Sequence, residues 1–169
     1  MLQDLLTDFN TAKSQSNLIP AGTIAKVQIA IQPGGYDGDC WLTKSRTTGS
    51  VYLNTEFIVT EGPYAKHRIY QIIGIKSSKA DGEDRWSEMG RSMIRSILES
   101  ARNIHPHDTS EKAVLARKIN ATGDLNGLEC LVKIGITADE YGEKNKIAAV
   151  ITPEHRAYTD FIKNSQVNW

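Results

Sequence analysis

Val51-Tyr52-Leu53-Asn54-Thr55-Glu56-Phe57-Ile58-Val59-Thr60, then Glu61-Gly62-Pro63-Tyr64, then His67-Arg68-Ile69-Tyr70-Gln71-Ile72-Ile73-Gly74-Ile75 read together as a β-hairpin. In the first arm Leu53, Thr55, Phe57 and Val59 alternate with Tyr52, Asn54 and Glu56, the period of two expected of a half-buried strand. The Gly-Pro pair marks the turn. In the second arm Ile69, Ile73 and Ile75 share one face and Arg68 and Tyr70 the other, while Ile72 makes the end apolar on both sides. Past Asp84 the period changes. Trp86, Met89, Gly90, Met93, Ile94, Ile97, Ala101 and Ile104 recur at helical spacing. With Asp84 as N-cap, they predict an amphipathic helix of about 18–20 residues with this set as its buried face.

Outward from the hairpin, Ala25, Val27, Ile29 and Ile31 alternate with Lys26 and Gln28 in a strand that Pro33-Gly34-Gly35 stops. A long loop to Ser50 follows, carrying Tyr36, Trp41, Lys44 and Arg46. Beyond the helix, Asp108-Thr109-Ser110-Glu111 has capping-box spacing and opens a shorter helix through Val114, Leu115 and Ile119, ending near Gly123. Leu128, Cys130, Val132, Ile134 and Ile136 then alternate in a fourth strand. A turn over Asp139 to Asn145 leads to a fifth over Lys146 to Ile151. The chain therefore divides into an N-terminal arm at 1–19, with a polar run from Thr11 to Asn17, a folded domain at 20–153, and a C-terminal tail at 154–169. The fold class is α+β: a five-stranded, mostly antiparallel, OB-like barrel with a helical insertion between strands 3 and 4. Chain order does not by itself establish that the barrel closes.

The 169 residues suit one domain, and 40% hydrophobic with 24% charged residues excludes a disordered chain. Twenty Lys+Arg against twenty Asp+Glu give a formal net charge of zero, so any polyanion site must be local. Cys40 and Cys130 are too far apart for a CxxC pair and too few for a disulfide framework, which points to a reducing, intracellular home. The N-terminal stretch lacks a basic region and is interrupted by Asp4 and Asp8, unlike a signal peptide, and no run approaches the ~20 apolar residues of a membrane span.

No GxGxxG, GxxxxGK[ST], GxSxG or HExxH occurs, so catalysis has no residue to start from and no cofactor is expected. His105-Pro106-His107-Asp108 could begin a zinc site but lacks supporting ligands at suitable spacing, and Asp37 and Asp39 lack the rest of a calcium loop. On the helix, Arg91, Arg95 and Arg102 with Glu99 read as a solvated face. Binding has better support, because single-stranded nucleic acid needs aromatic rings to stack bases and cations to track phosphates. Trp41, Lys44 and Arg46 lie in the first long loop; Tyr52, Arg68 and Tyr70 on the outer faces of the hairpin; Tyr141, Lys144 and Lys146 at the last hairpin. In an OB barrel these regions are expected to converge on one surface. The plainer alternative is that Trp41, Tyr52 and Tyr70 cover the barrel ends or pack under the helix.

Three stretches carry a family resemblance: Leu18-Ile19-Pro20-Ala21-Gly22-Thr23, the hairpin Leu53 to Arg68, and Gly127 to Ile136 followed by Tyr141-Gly142-Glu143-Lys144-Asn145. Over roughly 18–153 the chain resembles a family of phage and prophage proteins long catalogued as a domain of unknown function. That family is encoded among replication and recombination genes and is now often described as single-stranded DNA-binding. The resemblance implies an OB-like fold and DNA binding without catalysis. The leading expectation is a protein that coats single-stranded DNA as a homo-oligomer in the cytoplasm of a bacterial host, with phage recombination or replication proteins as further partners. The tail, ending Ser165-Gln166-Val167-Asn168-Trp169, departs from the acidic tip by which bacterial single-strand binding proteins recruit partners. Two other readings stay open: a protein-interaction module on the same scaffold, and a small nucleic-acid-processing enzyme using His105 and His107.

Overall fold

Alternating β-branched residues make the hairpin arms pair as expected, with Leu53 opposite Ile73 and Phe57 opposite Ile69. A computed structural model describes residues 2–12, 17–78 and 84–167, with side chains to 164. Parts of the polar run Thr11–Asn17, of the polar stretch after Lys76, and the side chains of the tail's end lie outside the described residues. In chain order the elements are α1 (Leu2–Thr7), β1 (Ile24–Gln32), β2 (Thr43–Lys44), β3 (Val51–Val59), β4 (Arg68–Lys76), α2 (Arg85–Arg102), α3 (Glu111–Ala116), β5 (Glu129–Asp139), β6 (Gly142–Ile151) and α4 (Arg156–Val167), with a 3-10 turn at Thr122–Leu125.

The architecture is α+β, and every ladder among the described residues is antiparallel. β3 lies between β4 on one side and β1 on the other, and β1 continues to β5 and β6. The short strand β2, absent from the five-strand expectation, pairs with the first residues of β3 beyond the end of β1. The expected OB-like barrel, whose closure chain order left undecided, is not closed: β4 and β6 approach but share no ladder, so the six-stranded sheet is open. The physical reason is α2, which spans that gap. Gly90 lies against the backbone of Gly74 in β4, while Ser92, Met93 and Ser96 face Ile147 to Val150 of β6. Helix packing fills the space a closing ladder would have occupied. The core between sheet and helix is built by Val27, Ile29, Leu53, Phe57, Ile69, Ile97 and Val132, the inward set that the alternation predicts.

The helical segment differs from expectation in three respects. Gly90, Ile97 and Leu98 are buried, but Trp86 and Met89 are exposed, because the first turn of α2 runs past the edge of β4. Glu99, read as part of a solvated face, is 2% exposed. Its carboxylate accepts from Arg95 Nε at 3.2 Å and Arg117 Nε at 2.8 Å, while Arg102 donates to the carbonyls of Ala116 and Lys118, so these arginines staple α2 to the segment around α3. The cap of α3 is Ser110, which accepts from the Ala113 amide, rather than Asp108, whose carboxylate holds the Ser110 amide.

The segments read as arm and tail also contribute to the fold. Ile19 is fully buried, with its N–H donating to Asn145 Oδ1 at 2.9 Å and its carbonyl accepting from Asn145 Nδ2 at 2.8 Å. In α4, Tyr158 packs with Leu131 and Ile151, and its hydroxyl donates to the Ser100 carbonyl at 2.8 Å.

Asp84 joins β4 to α2. Its carboxylate accepts from the Ser77 amide at 2.9 Å and, as N-cap, from the Ser87 amide at 3.1 Å. The Ser77 N–H, more than the bonds from Ser87, holds the carboxyl below its ordinary range despite partial desolvation. A lowered folded-state pKa means that this stabilisation is complete above the unfolded value near 3.8 and fades as pH falls through the folded value. Asp84→Ala is therefore expected to lower the thermal midpoint by a few degrees at neutral pH, with Asp84→Asn retaining most of it. The gap between wild type and the alanine variant should narrow in acid, as measured by calorimetry at several pH values.

Candidate nucleic-acid interface

Side chains on the non-core face of β1, β3 and β4 line up in rows set by the register: Gln28, Ile58 and Arg68; Ala30, Glu56 and Tyr70; Gln32, Asn54 and Ile72. Tyr52 opposite Gly74 makes the next row. A Cβ at Gly74 would stand 2.5 Å from Trp86 Cδ2, so the absence of a side chain lets the indole lie against the strand. The outcome is a sheet surface bearing Tyr70 at 70% exposure and Ile72 at 53%, with Tyr52 half-buried and Trp86 at its margin. Amide side chains from Gln32 and Asn54 share that face.

Glu56, in the middle of the face, is 6% exposed. Arg68 Nη1 donates to Glu56 Oε2 at 2.7 Å and Gln32 Nε2 to Oε1 at 3.2 Å. The Arg68 charge is thereby offset locally, and Arg68 is a cross-strand tie rather than a spare cation. Lys44 and Arg46 are exposed near the Tyr52 end of this face; Lys44 Nζ lies 5.3 Å from the centroid of the Tyr36 ring.

Trp41 takes a different position. It is half-buried against the core, and a Cβ on Gly123 of the 3-10 turn would meet its Nε1 at 2.5 Å. Asp39 fixes this contact by accepting from Thr122 Oγ1 at 2.7 Å and from the Trp41 amide at 2.9 Å, and the Thr122 hydroxyl in particular holds its carboxyl below the ordinary range. Trp41 thus packs between the core and the 3-10 turn.

The last hairpin lies elsewhere again. β5 pairs with the start of β1 through Lys133 and Ile24, and the Gly22 amide donates to the Ile134 carbonyl, so the hairpin tip extends beyond the N-terminal end of β1. The β2 region adjoins the opposite end. Nine strand residues at ~3.3 Å each separate the two ends by about 30 Å. Tyr141 is 91% exposed, Lys144 pairs with Asp139 at 3.1 Å, and the Lys146 stem lies along Gly135. The register gathers Tyr52, Arg68 and Tyr70 on the outer face and places Lys44 and Arg46 beside it. Tyr141, Lys144 and Lys146 stand apart, and Trp41 lies beneath a loop.

Sequence reading missed Trp86 as a surface residue, because its helical spacing placed it with the core set. An available signal was Gly74, a glycine at an outward strand position where only close approach of another group calls for one.

Among the described residues no group of three or more His, Cys, Asp or Glu could hold a metal ion. The rings of His105 and His107 stand 5.5 Å apart, and His107 Nε2 lies 3.4 Å from Glu154. Cys130 is buried, with its thiol pushed up to about 12 by desolvation, and behaves as a small hydrophobe. No helix among the described residues is long and apolar enough to cross a membrane. Compared with protein-family models and with curated proteins, the chain matches none.

Proposed function

We propose that the outer face of β3 and β4 binds single-stranded DNA without catalysis, in phage or prophage replication or recombination within a bacterial host. The observation that carries this reading is Tyr70, a tyrosine exposed on a rigid sheet with Ile72, Tyr52 and Trp86 around it and amide side chains beside it. Aromatic platforms of this kind stack bases with little sequence preference. The OB-like part of the reading is supported by the sheet order β4-β3-β1-β5-β6 with a helix after the third long strand, which is the order of an OB barrel opened between its third and fifth strands. In that scheme β3 and β4 supply the ligand face. The family resemblance noted above points the same way.

Fluorescence anisotropy with a labelled oligo-dT of ~30 nucleotides tests the reading. Tyr70→Leu and Trp86→Leu remove a flat π-face but keep apolar bulk, and each is expected to lose about 1–3 kcal/mol of affinity at little cost in stability. Trp41→Leu is expected to act on stability instead, since its ring packs against Gly123. With Arg68 tied to Glu56, few cations remain for phosphates. The salt slope should therefore be shallow, at about −0.7 per neutralised phosphate, and flatten further in Lys44→Gln or Arg46→Gln. Absence of oligonucleotide binding at low salt, with the fold intact, overturns the proposal.

A second reading is favoured by the Arg68–Glu56 pair: with the cation at the centre of the face already neutralised, the surface suits a protein partner better than a polyanion. A protein-interaction module would keep the aromatic face, fail in the oligonucleotide titration, and lose its partner on Tyr70→Leu.

A further inference from the structure

Leu2, Leu5, Leu6 and Phe9 recur at helical spacing along α1 and just past it, and all four are between 65% and 76% exposed. Asp4 and Asp8 are the charged residues of this stretch, which holds no cation. An apolar stripe with two carboxylates is an amphipathic acidic helix without a covered face.

The opposite chemistry exists elsewhere on the molecule. A cleft of about 480 Å³ between α2 and the chain after α3 has an apolar floor of Ile94, Leu98 and Ile119 and a rim of Arg91, Arg95 and Arg117. Three guanidinium groups line the cleft against two carboxylates, Glu99 bonded to Arg95 and Arg117 and Asp108 acting on Arg117, so the rim keeps a net positive charge. Arg95 and Arg117 are held in place by the Pro106 and His105 carbonyls as well as by Glu99, which makes the rim rigid before any ligand arrives. Arg91 is exposed at its edge.

The geometry points to association of this chain with a second copy, in which α1 of one copy lays its leucines in the α2–α3 cleft of the other and Asp8 meets the arginine rim. Apolar stripe fits apolar floor, and acidic flank fits basic rim. Helix-in-groove recognition uses this i, i+3, i+4 and i+7 anchor pattern. The charge pairing sets the orientation and discourages other partners. This inference does not depend on the DNA reading, since it concerns the face built by α2 rather than by β3 and β4.

Sedimentation velocity of the full chain without nucleic acid, over a range of concentrations, gives the test. The expected result is an oligomer that dissociates on dilution. Leu5→Glu with Leu6→Glu alters only exposed side chains and should leave a folded monomer whose thermal midpoint equals that of the wild type at dilutions where the wild type is also dissociated. Arg91→Glu, and separately Asp8→Arg, should each weaken association at least about tenfold by placing like charges together. The two combined in one chain should recover most of that loss, because the pair is restored with its signs exchanged. A monomer at every concentration overturns the inference. So does association that survives the leucine substitutions, or that ignores Arg91→Glu, which would place α1 on another surface. Oligonucleotide titration of the Leu5/Leu6 variant separates this result from the DNA reading, because a monomer that still binds DNA leaves that reading standing.

Discussion

Replacing Glu99 by leucine is expected to destabilise the protein by about 3 kcal/mol, at the lower end of what removal of one partner from a buried ion pair costs. The side chain is buried between α2 and the chain following α3, and its Oε2 accepts from two guanidinium groups. Taking it away leaves two cations facing each other. Arg117, whose side chain is 14% exposed, has little access to water and must keep its charge in place; Arg95, at 55%, can swing outward, which keeps the loss from being larger. A solvated helix face would respond to the same change by no more than about 0.5 kcal/mol, so the two readings of these residues differ severalfold. Glu99→Gln should fall between, retaining an acceptor but not the charge. Arg91→Ala, at the exposed rim, should leave the urea midpoint unchanged. Urea unfolding of the four proteins decides the matter. Equal midpoints for wild type and Glu99→Leu would mean that α2 is not stapled to the α3 segment in solution.

Gly90→Ala provides the second large effect, and its sign is the informative part. Alanine in a helix interior is better than glycine by about 1 kcal/mol, so propensity alone predicts a more stable protein. The added methyl would overlap the Gly74 carbonyl oxygen and stand 2.8 Å from its carbon, and neither is the end of a flexible side chain. Gly74 is held by its ladder with Tyr52, and Trp86 lies against it on the other side. The backbones must separate, and overpacking of this kind typically costs about 1–3 kcal/mol, sometimes more. Net destabilisation of about 2 kcal/mol is expected once the propensity gain is subtracted from a cost at the top of that range. Gly74→Ala meets the Trp86 ring first, an exposed side chain that can move into solvent, so it should cost less stability but lower oligonucleotide affinity by displacing an aromatic side chain from the face. A Gly90→Ala protein as stable as wild type would mean that α2 does not ride on β4, and the explanation of the open sheet would fall with it.

Local patterns carried much of the fold. Alternation at Ala25 to Ile31, Leu53 to Val59 and Leu128 to Ile136 depends only on which faces meet water, and each stretch is a strand. The spacing from Gly90 to Ile97 and the cap at Asp84 likewise depend on neighbours within a few residues, and α2 starts where they indicate. Mixed segments were less legible. The tail's brief apolar spacing at Tyr158, Phe161 and Ile162 acquires its helix by docking on Leu131 and Ile151, residues near in space but not adjacent in the sequence.

By itself the sequence determined the α+β class, the five long strands, and the aromatic outward positions Tyr52 and Tyr70, because side-chain period follows from local backbone geometry. Tertiary structure alone decided whether the sheet closed, since Gly90 meeting Gly74 brings two distant segments together and lets a helix occupy the gap between β4 and β6. It also decided the roles of charged and aromatic residues that pattern could not separate. Arg95 and Arg117 converge on Glu99, Arg68 on Glu56, and Trp41 on Gly123, whereas Trp86 comes to the surface beside Tyr52. A side chain's exposure, unlike its period, depends on what the rest of the chain places over it.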